Sequence, residues 1–185
     1  MLRSLGARRA GLTTAGHITV VGKPIIAKAP GSSISVGHGT SLISDPRYTA
    51  LGTPRPIILR TLAGGASISI GEHCGLSGVV ICAASSVSVG DRVLLGSGVS
   101  IADTDFHPVD QVPRRFSGLP ASNMTDSVVL EDDVFVGAGT FVLKGVRIGR
   151  GSVIGAGSVV ATDIPDHVVA AGNPARFIRK ICGTS

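Results

Sequence analysis

Residues 130–165 read LEDDVF, VGAGTF, VLKGVR, IGRGSV, IGAGSV and VATDIP, six consecutive hexads that share one pattern. The first position of every hexad is aliphatic, the fifth is β-branched or small, and the second is glycine in three of the six. In a chain with 43% hydrophobic residues, six aliphatic first positions arise by chance in roughly 0.6% of trials. The period therefore indicates a structural repeat.

The same period continues upstream of this run. Aliphatic residues stand six apart at Ala83, Val89, Leu95 and Ile101. Six residues do not fit the period of an α-helix, whereas a short strand followed by a turn, repeated, does fit. Three such strands make one triangular coil, and stacked coils pair strand above strand in parallel. We expect glycine at the corners of the coil, where the backbone needs a positive φ.

Size, composition and charge restrict the class of protein. The 185 residues suffice for one domain with its own core, and their hydrophobic content excludes a disordered chain. The net charge of +5 fits a small phosphorylated ligand, or serves solubility alone. Basic residues are scattered and aromatic residues are few, so we do not expect a nucleic-acid partner.

The cysteines and the first residues of the chain indicate the cellular compartment of the protein. The odd number of cysteines, three, argues against a disulfide framework, and their spacing matches no metal motif. The start of the chain has no continuous apolar segment of a secretory signal. No apolar run reaches the length of a membrane span. We therefore expect a reduced, cytoplasmic protein.

Two segments interrupt the repeat. Residues 44–66 and residues 103–127 each contain three prolines, and long loops inside a compact domain are often functional. We predict one all-β domain over residues 1–172, a parallel β-helix with these two excursions.

The end of the chain, residues 173–185, has a different character. Asn173 and Pro174 fit the N-cap and the first position of a helix. Apolar residues follow at helical spacing, at Phe177, Ile178, Ile181 and Cys182. We predict a short C-terminal helix that caps the open end of the solenoid.

The hexads, the segment IADTDFHPVD at 101–110 and the segment IGAGSVVATDIPDHVVAAGNPARFIRK at 154–180 resemble the hexapeptide-repeat acyltransferases. The similarity is greatest to the maltose/galactoside O-acetyltransferases and related polysaccharide acetyltransferases, over roughly residues 68–182. The resemblance implies a left-handed parallel β-helix, a homotrimer and active sites between subunits. It also implies acyl transfer, with acetyl as the expected group, from coenzyme A to a hydroxyl of a sugar or polysaccharide precursor.

His107 matches the catalytic histidine of this family, which stands before proline in an excursion loop. A sugar hydroxyl is a poor nucleophile until its proton is removed, and neutral imidazole accepts a proton near neutral pH. The resemblance implies that His107 is this general base. The alternative is a loop histidine that packs or caps a turn.

Three residues near His107 are candidates for supporting roles. A carboxylate of Asp103 or Asp105 would orient the imidazole or contact the substrate, as an Asp does in a catalytic triad; the alternative is an Asx turn. The sugar acetyltransferases have an acceptor-binding Asn in the coil before the histidine. Here Ser77 is the nearest residue, and its hydroxyl either binds the acceptor or belongs to a corner.

Coenzyme A is the implied acyl donor, and no metal is expected. The family lays the pantetheine arm against small residues whose counterparts here are Ala138, Ala156 and Thr162. The basic residues near the adenosine end correspond to Arg176 and Arg179, and a guanidinium binds two phosphate oxygens at once. The alternatives are ordinary coil geometry for the alanines and a solvated helix face for the arginines.

Three other functions are compatible with a hexad solenoid. A γ-carbonic anhydrase type of zinc enzyme needs two histidines five residues apart, whereas position 112 is Val112. A non-catalytic scaffold would need neither the loop histidine nor the C-terminal motif. An N-acetyltransferase acting on an aminosugar or another amine would use the same base, and it stays open beside O-acetylation.

Overall fold

The computed structural model describes residues 11–120, 123 and 126–181. These residues form a three-sided parallel β-helix, with twenty short strands distributed over three sheets. We call the three sheets faces A, B and C, and the chain visits them in the repeating order B, A, C. This architecture confirms the all-β parallel helix that the hexads predict.

The strands of each face follow one another along the axis. Face A contains β2 (Thr19–Val21), β5 (Ser41–Ile43), β8 (Gly75–Ser77), β11 (Leu94–Leu95), β14 (Phe135–Val136), β17 (Val153–Ile154), β19 (Val168–Gly172) and β20 (Ala175–Lys180). Face B contains β1 (Thr13–Thr14), β4 (Ser33–Val36), β7 (Ser67–Ile70), β10 (Ser86–Val89), β13 (Val128–Leu130) and β16 (Arg147–Ile148). Face C contains β3 (Ile25–Ala27), β6 (Ile58–Thr61), β9 (Val80–Ala83), β12 (Ser100–Ala102), β15 (Phe141–Val142) and β18 (Val159–Val160).

Stacked aliphatic side chains fill the interior. Alternate residues of each strand point inward, because side chains alternate across a strand. On face B, for example, Ile34 pairs with Ile68, Ile68 with Val87, and Val87 with Val128, and all four are buried. The register places aliphatic side chains of one coil beside aliphatic side chains of the next, so the core is one continuous column.

Glycine occupies two hexad positions at the corners, the second and the fourth, for different reasons. The expected positive φ is found only at the fourth position. The fourth hexad position has positive φ, as at Gly139 and Gly157. The second position does not: a Cβ on Gly137 would lie 2.5 Å from the backbone nitrogen of Ala156 in the next coil. Here glycine is required because two backbones approach too closely for a side chain.

The predicted C-terminal helix is wrong. Residues 175–180 form strand β20, which turns back at Asn173–Pro174 and pairs antiparallel with β19. Without β20, the outer edge of β19 would leave its backbone N–H and C=O groups unpaired. A strand can pair with that edge, whereas a helix cannot. Phe177 and Ile178 are exposed rather than packed in an apolar stripe. Cys182 lies outside the described residues.

The predicted excursion at 44–66 is shorter than expected. Residues Ile58–Thr61 are strand β6 of face C, and a short 3₁₀ turn covers Pro46–Tyr48. The excursion is therefore residues 44–57. The second interruption separates β12 from β13 and contains a 3₁₀ turn at Arg114–Phe116. Within the described part of the chain, no helix is long and apolar enough to cross a membrane.

A substitution tests the close approach of the coils. A Cβ on Gly71 would lie 2.5 Å from the carbonyl oxygen of Gly90. We expect Gly71→Ala to lower the free energy of unfolding by about 1–3 kcal/mol, the usual cost of overpacking, measured by urea denaturation. Gly118→Ala is the control, because a Cβ on Gly118 meets no atom within 4 Å. Equal stability of the two variants would contradict this account of the repeat.

Candidate active site

The open pocket beside the second excursion has a volume of about 390 Å³ and lies on face C. Its floor comes from three successive strands, β9, β12 and β15, and is mostly apolar, with Val80, Cys82 and Phe141 among the lining residues. One wall is the start of the excursion, Thr104 to Phe106. The pocket thus combines a rigid floor with a wall that leads directly to His107.

A tight turn presents His107 at this wall. Phe106 has a φ of 63°, and its backbone N–H donates a hydrogen bond of 3.1 Å to Thr104 Oγ1. The left-handed residue reverses the chain, so that His107 follows with an exposed side chain. Among the described residues, the ring of His107 has no hydrogen-bond partner, so both nitrogens are available to a ligand.

Lys144 ties both ends of the excursion to the next coil. Its Nζ lies 2.7 Å from Asp105 Oδ2, at the start of the loop, and 3.7 Å from Asp126 Oδ1, at its end. The Gly145 N–H also donates a 2.7 Å bond to the Asp126 carbonyl oxygen. The hydrogen bond to Asp105 raises the pKa of Lys144. Sequence reasoning missed Lys144, because nothing in its own hexad relates it to Asp105, which stands 39 positions earlier.

The ion pair changes the role expected of Asp105. Its carboxylate faces Lys144, whereas no hydrogen bond joins it to His107 within the described residues. The contact we expected, a carboxylate that orients the imidazole, is therefore absent from the described residues. Asp105 holds the loop on which His107 stands, and its expected role in orienting the imidazole stays a prediction.

Asp103 has a structural role that accounts for its position without a substrate. The residue is 2% exposed, and its carboxylate accepts hydrogen bonds from the N–H groups of Ala84 at 2.6 Å and Ser85 at 2.7 Å. Burial raises the pKa of Asp103, and these backbone donors partly offset the rise. The side chain fixes the point where the excursion leaves the coil, and its expected role in acceptor binding stays a prediction.

Three of the predicted residues share one corner, the turn between faces A and C. Gly98 N–H donates to the Ser77 carbonyl at 3.1 Å, and Gly157 N–H donates to the Ala138 carbonyl at 2.8 Å. Ser77, Ala138 and Ala156 thus occupy equivalent positions of this corner, with Ala138 two coils after Ser77 and Ala156 one coil after Ala138. Ala156 is exposed and Ala138 is half-buried, so small side chains line this end of the corner.

Ser77 lies at the other end of the same corner, beneath the first excursion. Ser97, in the equivalent position one coil on, donates a 2.6 Å bond from Oγ to the Gly52 carbonyl. Because Ser77 precedes a face C strand and the His107 loop follows one, the two residues lie at opposite edges of face C. This position fits the alternative that Ser77 is a corner residue.

The C-terminal hairpin places the two predicted phosphate ligands. A register shift between Val169 and Ala170 pairs Arg179 with Val169 and Arg176 with Ala171. Opposite residues of an antiparallel pair share a face, so the irregularity brings both guanidinium groups to one side. Neither forms an ion pair with a described residue.

Thr162 stands next to this hairpin. It lines a small pocket of about 110 Å³ together with Arg176 and Phe177. Thr162 and Arg176 therefore lie together at the C-terminal end of the solenoid. No group of three or more His, Cys, Asp or Glu side chains in the described ranges is arranged to hold a metal ion.

Known proteins share this architecture. Residues 127–162 match the family described as bacterial transferase hexapeptide, six repeats. The chain is 46% identical over 95 residues to the galactoside O-acetyltransferase of Lactococcus lactis subsp. lactis, covering 51% of this chain and 44% of that protein. The chain spans about half the length of the curated relatives it matches.

Two solved structures extend the comparison. A hexapeptide-repeat acetyltransferase from Vibrio cholerae O1 biovar eltor, in complex with acetyl coenzyme A, has a TM-score of 0.55 and 29% identity, over 68% of this chain and 66% of that chain. An N-acyltransferase from Bacillus cereus has a TM-score of 0.71 at 20% identity, over 96% and 87% of the two chains, and shows the fold alone. The resemblance to hexapeptide-repeat acyltransferases is confirmed, and the parallel sheets with these neighbours fit the left-handed β-helix.

Removal of the Lys144 charge tests its hold on the excursion. We expect Lys144→Met to speed tryptic cleavage after Arg114 or Arg115 about two- to fivefold, since an exposed ion pair contributes roughly 0.3–1 kcal/mol to the closed state. Lys144→Arg, which keeps the charge, should be cut at the wild-type rate. A Lys144→Met protein that resists trypsin as well as the wild type would show that other contacts hold the loop.

Proposed function

We propose that this chain, which carries the six-hexad repeat of the bacterial transferase family, is an acyltransferase that moves an acetyl group from acetyl-CoA to a sugar hydroxyl. The observation that supports the proposal most directly is the exposed imidazole of His107, which has no hydrogen-bond partner among the described residues. His107 directly follows Phe106, which lines an apolar pocket of about 390 Å³. The pocket is large enough for a sugar ring, and its apolar floor suits the C–H face of a pyranose.

The reaction requires one base that acts twice. His107 accepts the proton of the acceptor hydroxyl as the oxygen attacks the thioester carbon. The resulting tetrahedral intermediate breaks its C–S bond, and the imidazolium returns the proton to the departing thiolate. An exposed histidine on an anchored loop can serve both steps, because the acceptor hydroxyl and then the departing thiolate lie on the same side of its imidazole ring.

We place the pantetheine arm along the corner of Ala138 and Ala156. Methyl side chains leave that corner open, and the exposed turns offer backbone groups to the amides of the arm. Thr162 lies further along the same end of the solenoid, and Arg176 and Arg179 would bind the phosphates beside it. Their guanidinium groups share one side of the hairpin, have no acidic partner in the described residues, and match phosphate in charge and geometry.

The separation of these parts supports a homotrimer. The corner of Ala138 and Ala156 and the His107 loop stand at opposite edges of face C, so a single chain would not bring donor and base together. A neighbouring copy in a closed ring would complete each site with its own histidine. Face A also carries outward apolar side chains suited to such contact, with Leu94 52% and Phe135 42% exposed.

Loss of the imidazole tests the base. We expect His107→Ala to lower kcat by about 10²–10⁴, the usual contribution of a general base. Thiol release from acetyl-CoA, followed with a panel of sugars, glycolipid precursors and amines, measures it. The affinity for coenzyme A, measured by calorimetry, should be unchanged, because the imidazole contacts the reacting atoms alone.

His17→Ala is the matched control, since His17 lies at the far end of the solenoid. Normal turnover in His107→Ala would remove that residue from the mechanism. Turnover with amines but not with hydroxyl acceptors would establish the N-acetyltransferase alternative. Failure of the wild type to bind coenzyme A would favour a scaffold.

A further inference from the structure

Two arginines that sequence reasoning did not single out stand at the face C pocket. Arg60 is exposed on strand β6, directly beside Cys82 of β9, which lines the pocket floor. Burial raises the pKa of the Cys82 thiol, and the charge of Arg60 partly offsets the rise, so the guanidinium lies within electrostatic reach of the floor.

Arg55 approaches the same floor from the first excursion. Its Nη2 donates to the carbonyl of Gly98 at 3.2 Å and lies 3.4 Å from Oγ of Ser100, another residue of the floor. These bonds anchor one nitrogen of the guanidinium and leave the remaining donors free. The side chain is thus held at the edge of the pocket while it keeps its capacity to bind.

The charges around the pocket do not balance. Lys144 is neutralised by Asp105 and Asp126, and the carboxylate of Asp103 is buried beneath the loop, on backbone donors. Arg55 and Arg60 have no carboxylate partner among the described residues. Three other arginines of the solenoid do, at Arg92, Arg147 and Arg150, whereas Arg176 and Arg179 of the C-terminal hairpin do not within the described part of the chain. Two guanidinium groups without an ion-pair partner among the described residues therefore lie beside the pocket floor.

We propose that the acceptor is an anionic sugar, whose phosphate or carboxylate is bound by Arg60 and Arg55 while its reacting hydroxyl faces His107. The inference rests on the proposed function for the identity of the reaction, but not for the anion site itself. Guanidinium groups bind both anions through paired N–H donors. The anion would fix one end of the sugar, and the apolar floor would support the ring.

This site is distinct from the expected phosphate site of coenzyme A. Stacked strands lie about 4.8 Å apart, and four coil steps along face C separate β6 from β18 at the C-terminal end. Strand β20, which carries Arg176 and Arg179, lies two further steps beyond β17, the face A strand of the same coil as β18. Arg60 and the Arg176–Arg179 pair thus stand roughly 29 Å apart along the axis. One set of cations would serve the donor, and the other would serve the acceptor.

Direct binding tests the anion site without requiring turnover. The probes are glucose and galactose, their 6-phosphates and the corresponding uronic acids, titrated by ligand-observed NMR. We expect the anionic sugars to bind about tenfold or more tightly than the neutral ones, the gain typical of a charge-assisted hydrogen bond. Phosphate and carboxylate probes distinguish the two sources of charge.

Variants of Arg60 and Arg55 show whether these side chains cause the preference for anionic sugars. Arg60→Met and Arg55→Met, which keep the aliphatic stems, should each remove most of the preference for anionic sugars, and Arg60→Lys should keep part of it. Lys23→Met is the control, because it removes one exposed positive charge at a turn of the first coil. Equal affinity for neutral and anionic sugars, or a preference that survives both methionine variants, would overturn the proposal.

Assays of acyl transfer distinguish failure of the anion site from failure of the proposed function. Turnover of neutral acceptors at the same kcat/KM as anionic ones, in the wild type and in Arg60→Met, would overturn the anion site and leave the acyltransferase standing. Anionic sugars that bind through Arg60 without thiol release from acetyl-CoA would support the site and count against the enzyme.

Discussion

Backbone pairing between successive coils is the constraint on which the rest of the structure depends. Each strand between the two ends of the solenoid pairs with the coil before and the coil after, so the register of one coil fixes the next. At the corners the backbones come so close that a Cβ on Gly71 or Gly137 would meet the neighbouring main chain at 2.5 Å. Such a scaffold cannot accept inserted residues within its strands, and insertions are confined to the corners.

Both excursions follow from that confinement. Each leaves the coil at a corner, where the ladder can be interrupted without loss of strand pairing. Asp103 fixes the start of the second excursion by accepting hydrogen bonds from the N–H groups of Ala84 and Ser85. Lys144, from the coil that follows, then holds the loop at both ends. His107 is therefore a loop residue whose position is set by rigid coils on either side, which is what a general base requires.

Much of the fold is readable from the sequence because one periodic signal determines it. The aliphatic first position of each hexad identifies the inward residues, and all of them from Leu130 to Val160 are buried. The C-terminus was predicted wrongly because Phe177, Ile178 and Ile181 fit helical spacing locally, while the open edge of β19 favoured a strand. Contacts of the site lie beyond local patterns: Lys144 meets Asp105 only through stacking, and Arg55 and Arg60 fall inside a segment predicted to be a loop.

The central claim is that the imidazole of His107 meets a thioester carried along the corner of Ala138 and Ala156. A crystal structure with bound coenzyme A tests it most directly, through the distance from the thiol sulfur to the nearest ring nitrogen of His107. The account predicts that the pantetheine follows this corner and that the sulfur lies within about 4 Å of that nitrogen from a neighbouring subunit, close enough for proton return. A pantetheine arm bound elsewhere, with every His107 ring remote from the sulfur, would contradict it.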